Sequence, residues 1–142
     1  FLNEFSQRYN YEIIVKLHPT VKNSILDLKQ ICPNLYFTNK KIDNVLKDVF
    51  LTISYSSTVI EDSLYSHRPV ILFDQWKRYQ HCNAEKDISK KNSAVYYLTD
   101  KNDLIRCVRT INESKNINFD EYTIKGKAKD NISKLFNFLF KD

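Results

Sequence analysis

Apolar positions along the chain fall into alternating strand-like and helix-like runs. Phe1 to Arg8 places Phe1, Leu2 and Phe5 on one side, which predicts the tail of a helix. Tyr11 to Leu17 is a continuous β-branched and apolar run and predicts a buried strand, ended by His18-Pro19-Thr20. Proline lacks a donor and pushes the residue before it toward extended geometry. Val21, Ile25, Leu28 and Cys32 recur at helical spacing, and Pro33-Asn34 breaks that helix. Leu35 to Thr38 reads as a short strand, and Ile42 to Val49 as a short helix through Ile42, Val45, Leu46 and Val49. Phe50 to Ser54 predicts a second buried strand. Val59, Ile60, Ser63 and Leu64 then follow at helical spacing behind a Ser/Thr cluster.

Pro69 to Phe73 is the most hydrophobic run, and Ala94 to Leu98 is another strand. The polar stretch between them, Asp74 to Ser93, predicts a loop with a short helix. Leu104, Cys107, Val108 and Ile111 mark a helix over Asp100 to Ile111. Ile132, Leu135, Phe136, Leu139 and Phe140 mark an amphipathic helix at the end. Strands alternating with helices predict an α/β fold: a Rossmann-like parallel sheet of about five or six strands with helices on both faces. No internal repeat or linker divides residues 1–142, which read as one domain. Because the chain starts at Phe1 and contains no Met, it reads as a piece of a longer product.

On such sheets ligands sit outside the carboxyl ends of the strands. That rule selects three polar segments for a shared pocket. The first is His18-Pro19. The second is Ser56-Ser57-Thr58 with Glu61 about one turn further on. The third begins Asp74-Gln75-Trp76-Lys77-Arg78. Hydroxyls and unpaired amides at a helix start suit an anion, and the alternative is plain N-capping. A carboxylate at Glu61 can accept from vicinal ribose hydroxyls. His18 can donate to a phosphate or a leaving-group oxygen, against the alternative of a turn residue. His67 reads as a helix cap. His81 and Cys82 give two metal-type ligands with no third nearby, so no metal site is expected.

Composition narrows the classes. The chain is 42% hydrophobic with nine Tyr, nine Phe and one Trp, which excludes disorder. No apolar run approaches the roughly 20 residues of a membrane span. No charged n-region with an apolar h-region opens the chain, so no secretory signal is expected. A single Gly excludes glycine-wrapped phosphate loops, including the P-loop and the dinucleotide fingerprint. No G-x-S-x-G elbow marks a hydrolase. The net charge is +5, but the lysines are spread along the chain and interleaved with Asn, so no nucleic-acid partner is expected. A positive surface leaves peripheral contact with an anionic membrane open. Three cysteines without metal or disulfide spacing point to a reduced, cytoplasmic location, with the inner face of the cytoplasmic membrane as an option.

The run from Ser56 through Ser57-Thr58-Val59-Ile60-Glu61-Asp62 to Arg68-Pro69-Val70-Ile71-Leu72 resembles the strand–helix–strand segment of GT-B glycosyltransferases. There a Ser/Thr cluster is followed by an acid and then by G-x-P-V-I. Lys16-Leu17-His18-Pro19 is similar to the "HP" motif of bacterial capsule and sialic acid transferases. Wall-teichoic-acid glycerophosphotransferases carry a similar K-x-H-P and Ser-Ser segment. Thr99-Asp100 leading into a helix resembles the late part of the same half. The resemblance spans about Tyr11 to Ile111, with His67 standing where the family has Gly.

It implies the donor-binding half of a transferase in surface-polysaccharide synthesis. Ser56, Ser57 and Thr58 would bind the donor phosphate, and Glu61 would bind the ribose, with Asp62 as the other candidate for that acid. His18 would serve the phosphate or leaving group, and Asp74 and Gln75 would approach the transferred group. The implied ligand is a CMP-, CDP- or UDP-linked donor with no further cofactor. The implied partner is an N-terminal acceptor domain outside this chain. Two rival readings are a sugar-nucleotide epimerase of the 2-epimerase type and a non-catalytic Rossmann-like binding or regulatory module.

Overall fold

Among the described residues, five short strands, all in parallel pairs, alternate with helices. The computed structural model describes residues 1–18, 20 and 25–123. In chain order the elements are α1 (Leu2–Tyr9), β1 (Ile13–Lys16), α2 (Ile25–Ile31), β2 (Leu35–Thr38), α3 (Ile42–Leu46), β3 (Thr52–Ser54), α4 (Val59–Tyr65), β4 (Val70–Phe73), β5 (Val95–Leu98) and α5 (Leu104–Asn112). One 3₁₀ turn, Lys101–Asp103, leads into α5. The α/β class and the alternation follow the sequence pattern. The amphipathic helix expected over Ile132 to Phe140 lies outside the described residues, as does the start of the helix expected from Val21.

The single sheet of five or six strands is corrected. The strands form two sheets, β1-β2 and β3-β4-β5. Hydrophobic periodicity marks which segments are extended but carries no term for which strand lies beside which. The chain divides accordingly into two compact units, Phe1–Val49 and a second from Phe50 onward.

In the first unit β1 and β2 pair from Ile13 opposite Leu35 to Lys16 opposite Thr38, and the Leu17 amide extends the ladder to Thr38 O. α1 ends at Asn10, which takes the left-handed conformation (φ 55°) that closes helices. Phe5 is buried among the rings of Phe1, Tyr9 and Tyr11. The Ser6 hydroxyl donates to Tyr11 O at 2.7 Å, and the Asn34 amide donates to Asn3 Oδ1 at 2.9 Å, tying α1 to the turn before β2. β1 was expected to be buried, yet all four of its residues are only half-buried, because a two-stranded sheet leaves it one bonded neighbour.

In the second unit β4 is central, with Thr52 opposite Val70 on one side and Val70 opposite Val95 on the other. Val70, Ile71, Val95 and Tyr96 are fully buried. Val70 and Leu72 face one way by the two-residue period of a strand and share a cluster with Ile60 and Leu64 of α4. α5 buries the stripe Leu104, Cys107, Val108 and Ile111. The buried Tyr96 hydroxyl is satisfied by donating to Lys90 O at 2.6 Å. β3 is an outer strand of this sheet, and Ile53 is 37% exposed there despite its apolar run.

α4 ends in a Schellman closure. The Arg68 amide donates to Ser63 O and the His67 amide to Leu64 O, with His67 at φ 55°. Glycine is the usual residue for that conformation; here histidine adopts it, and its ring stacks on Phe119 with centroids 5.1 Å apart.

Candidate functional site at the carboxyl edge of the three-stranded sheet

β3, β4 and β5 run the same way and finish nearly level, since Ser54 stands opposite Leu72 and Phe73 opposite Leu98. Three segments therefore leave one edge together: Tyr55–Thr58, Asp74–Arg78 and Thr99–Asp100. Ser56, Ser57, Thr58, Glu61, Asp74 and Gln75 all belong to the first two segments or to the first turn of α4.

The three hydroxyl residues divide by role. Ser57 organises the helix start: its Oγ accepts from the Val59 amide at 3.2 Å and its carbonyl from the Ile60 amide at 3.0 Å. Ser57 therefore carries the N-capping contact, while Ser56 and Thr58 stand exposed on either side of it.

Asp74 is 1% exposed. Its Oδ2 accepts from the Tyr79 amide at 2.9 Å and from the Tyr97 hydroxyl at 3.0 Å, while Oδ1 is buried without a hydrogen-bond partner. Burial pushes the carboxyl up, but the Tyr79 amide, the Tyr97 hydroxyl and the nearby amides of Arg78 and Trp76 outweigh it and hold the group below the usual aspartate range. The Lys77 amide also donates to Asp74 O at 3.1 Å, and Lys77 takes φ 54°. Asp74 thus shapes the loop that follows β4, and its neighbour Gln75 is exposed.

Glu61 and His81, twenty residues apart, meet at 2.7 Å between Oε1 and Nε2. That hydrogen bond is the main cause holding the Glu61 carboxyl below its ordinary range. Tyr79 meets the His81 ring edge-on at 6.0 Å, and His81 Nδ1 is buried without a partner. The Arg78 guanidinium lies 4.8 Å from the Trp76 ring centroid and 5.4 Å from that of Tyr55, joining the loop after β4 to the one after β3.

His18 belongs to the first unit and is exposed just beyond β1. Its Nδ1 accepts from the Thr20 amide at 3.4 Å and lies 2.8 Å from Thr20 Oγ1.

Sequence reading missed Tyr97 and the bond of His81 to Glu61, and it placed Arg78 in the third polar segment without its stack on Trp76 and Tyr55. The local pattern offers His81 only as a metal-type ligand and does not join it to Glu61. A lone Trp with cations at the next two positions, straight after the most hydrophobic strand, was the available signal for Arg78. Among the described residues no group of three or more His, Cys, Asp or Glu side chains is placed to hold a metal ion. A cavity of about 340 Å³, lined by Asn83, Glu85, Lys90, Asn92, Asn118 and Tyr122 among others, sits where the chain enters β5, and none of the residues named from sequence lines it. Among the described residues no helix is long and apolar enough to cross a membrane. No protein-family model, curated protein or solved structure matches the chain.

Proposed function

We propose that this chain is the donor-binding half of a GT-B-type transferase of bacterial surface-polysaccharide synthesis, acting on a nucleotide-activated sugar or polyol phosphate. The observation that carries the reading is the level carboxyl edge of β3-β4-β5, where a Ser/Thr-lined helix start, the Glu61 carboxylate and an Asp74-ordered loop leave the sheet together. In this reading the exposed hydroxyls of Ser56 and Thr58 donate to the donor phosphate, and Ser57 keeps that segment in shape. Glu61, held ionised by its bond to His81, accepts from the vicinal ribose hydroxyls. Asp74 orders the loop that carries Gln75 toward the transferred group. The resemblance gives His18, in the first unit, the part of a proton donor to the leaving group.

Chemical-shift titration of the chain with CMP, CDP, UMP and UDP tests the donor site. Weak, saturable shifts at Ser56, Thr58 and Glu61 with at least one of them are expected, reduced in Glu61→Gln. Silence with all four nucleotides rejects the reading.

A further inference from the structure

The proposed donor reading leaves an exposed aromatic and cationic cluster at the same edge without a task. Trp76 is 69% exposed and Tyr79 50% exposed. Arg78 stacks on Trp76 and on Tyr55, yet neither Arg78 nor Lys77 has an acidic partner among the described residues. A surface indole flanked by two cations suits a ligand that is aromatic at one end and anionic at the other. The neighbouring side chains of Ser56, Gln75 and Lys77 are exposed and polar, which is unlike an apolar docking face.

The backbone here is also set in advance. Asp74 accepts from the Lys77 amide through its carbonyl and from the Tyr79 amide through its carboxylate, and the left-handed turn at Lys77 separates Trp76 from Arg78. A loop ordered this way loses little further entropy when a ligand lands on it.

We propose that Trp76 is the stacking platform for the pyrimidine base of a nucleotide and that Arg78, steadied by Tyr55 and Trp76, meets its phosphate. This rests on the donor-site reading and names the residues that recognise the two ends of the nucleotide. Base–aromatic stacking tolerates any base, so the platform supplies affinity, while the choice among bases lies with other groups. Guanidinium matches phosphate with paired, fixed donors.

The chain has one tryptophan, so fluorescence excited at the red edge, where its nine tyrosines do not absorb, reports on Trp76. Titration with CDP or UDP is expected to change that emission saturably, and inorganic pyrophosphate to change it little. By calorimetry, Trp76→Ala is expected to weaken CDP at least about tenfold, within the range for loss of one stacked base. Trp76→Phe, which keeps a ring, should stay within about threefold of the parent. Arg78→Gln should weaken CDP but not free cytidine. Binding of CDP by calorimetry with unchanged Trp76 emission and parental affinity in Trp76→Ala overturns the platform and leaves the donor site standing. Absence of any CDP or UDP binding overturns both.

Discussion

Asp74 is the residue on which the carboxyl edge depends, and its chemistry is set by its surroundings. A carboxylate almost closed to water is stable there because an amide and a phenol hydroxyl both donate to it. Its carboxyl titrates below the ordinary value of about 3.9. A group depressed in the folded state adds stability that is complete above its unfolded value and is lost as pH falls through the folded one. Asp74→Asn is therefore expected to be less stable than the parent at pH 7, with the gap closing below about pH 4 as the parent's carboxylate protonates. Urea midpoints of both proteins between pH 7 and pH 2.5 measure this, and a gap independent of pH would contradict it. Cys107 illustrates the opposite case: wholly buried and near Asp103, its thiol is pushed up to about 12, so it serves as core.

Among the elements, β4 carries the second unit. Its three buried residues, Val70, Ile71 and Leu72, were legible as the most hydrophobic run of the chain. Leu72 is 1% exposed against Ile60 and Leu64. Leu72→Ala should cost about 2–5 kcal/mol in denaturant unfolding, the range for a large buried side chain that leaves a cavity. A loss under about 1 kcal/mol would show that the cluster can collapse into the space. β3 shows the limit of the same pattern. Phe50 to Ser54 is as apolar as a buried strand, but β3 has a bonded neighbour on one side only and leaves Ile53 open. α4 shows how a local rule is met by an unexpected residue: the spacing calls for a left-handed closure at position 67, and His67 supplies it with the stack on Phe119 as a contact glycine could not make.

At the largest scale the described residues form two βαβ units in series, β1-α2-β2 and β3-α4-β4, with β5 and α5 extending the second. Each unit holds part of what the resemblance to GT-B transferases assigns. Ser56, Ser57, Thr58, Glu61, Asp74 and Gln75 lie in the second unit and His18 in the first. The role of His18 is therefore tested by activity rather than by nucleotide binding to the second unit. In an active enzyme containing this chain, His18→Ala is expected to lower turnover at least about a hundredfold, in the range of a lost general acid, with an unchanged circular dichroism spectrum. Near-parental turnover would remove His18 from the transfer step.

Residue order alone settles the alternation of strands and helices, the position of β2, the central burial of β4 and the polar segments that follow β3 and β4. These follow from local periodicity, from proline breaks and from hydroxyl residues at a helix start, all written within a few residues of one another. Three things required the folded chain: the division of the strands into a pair and a triplet, the bond between Glu61 and His81, and the closing of Tyr55 and Trp76 on Arg78. Each joins positions many residues apart, or chooses among partners that the pattern leaves equal. Such pairings depend on which segments lie side by side once apolar surface is buried, and periodicity along a chain records how much each segment buries but not against what.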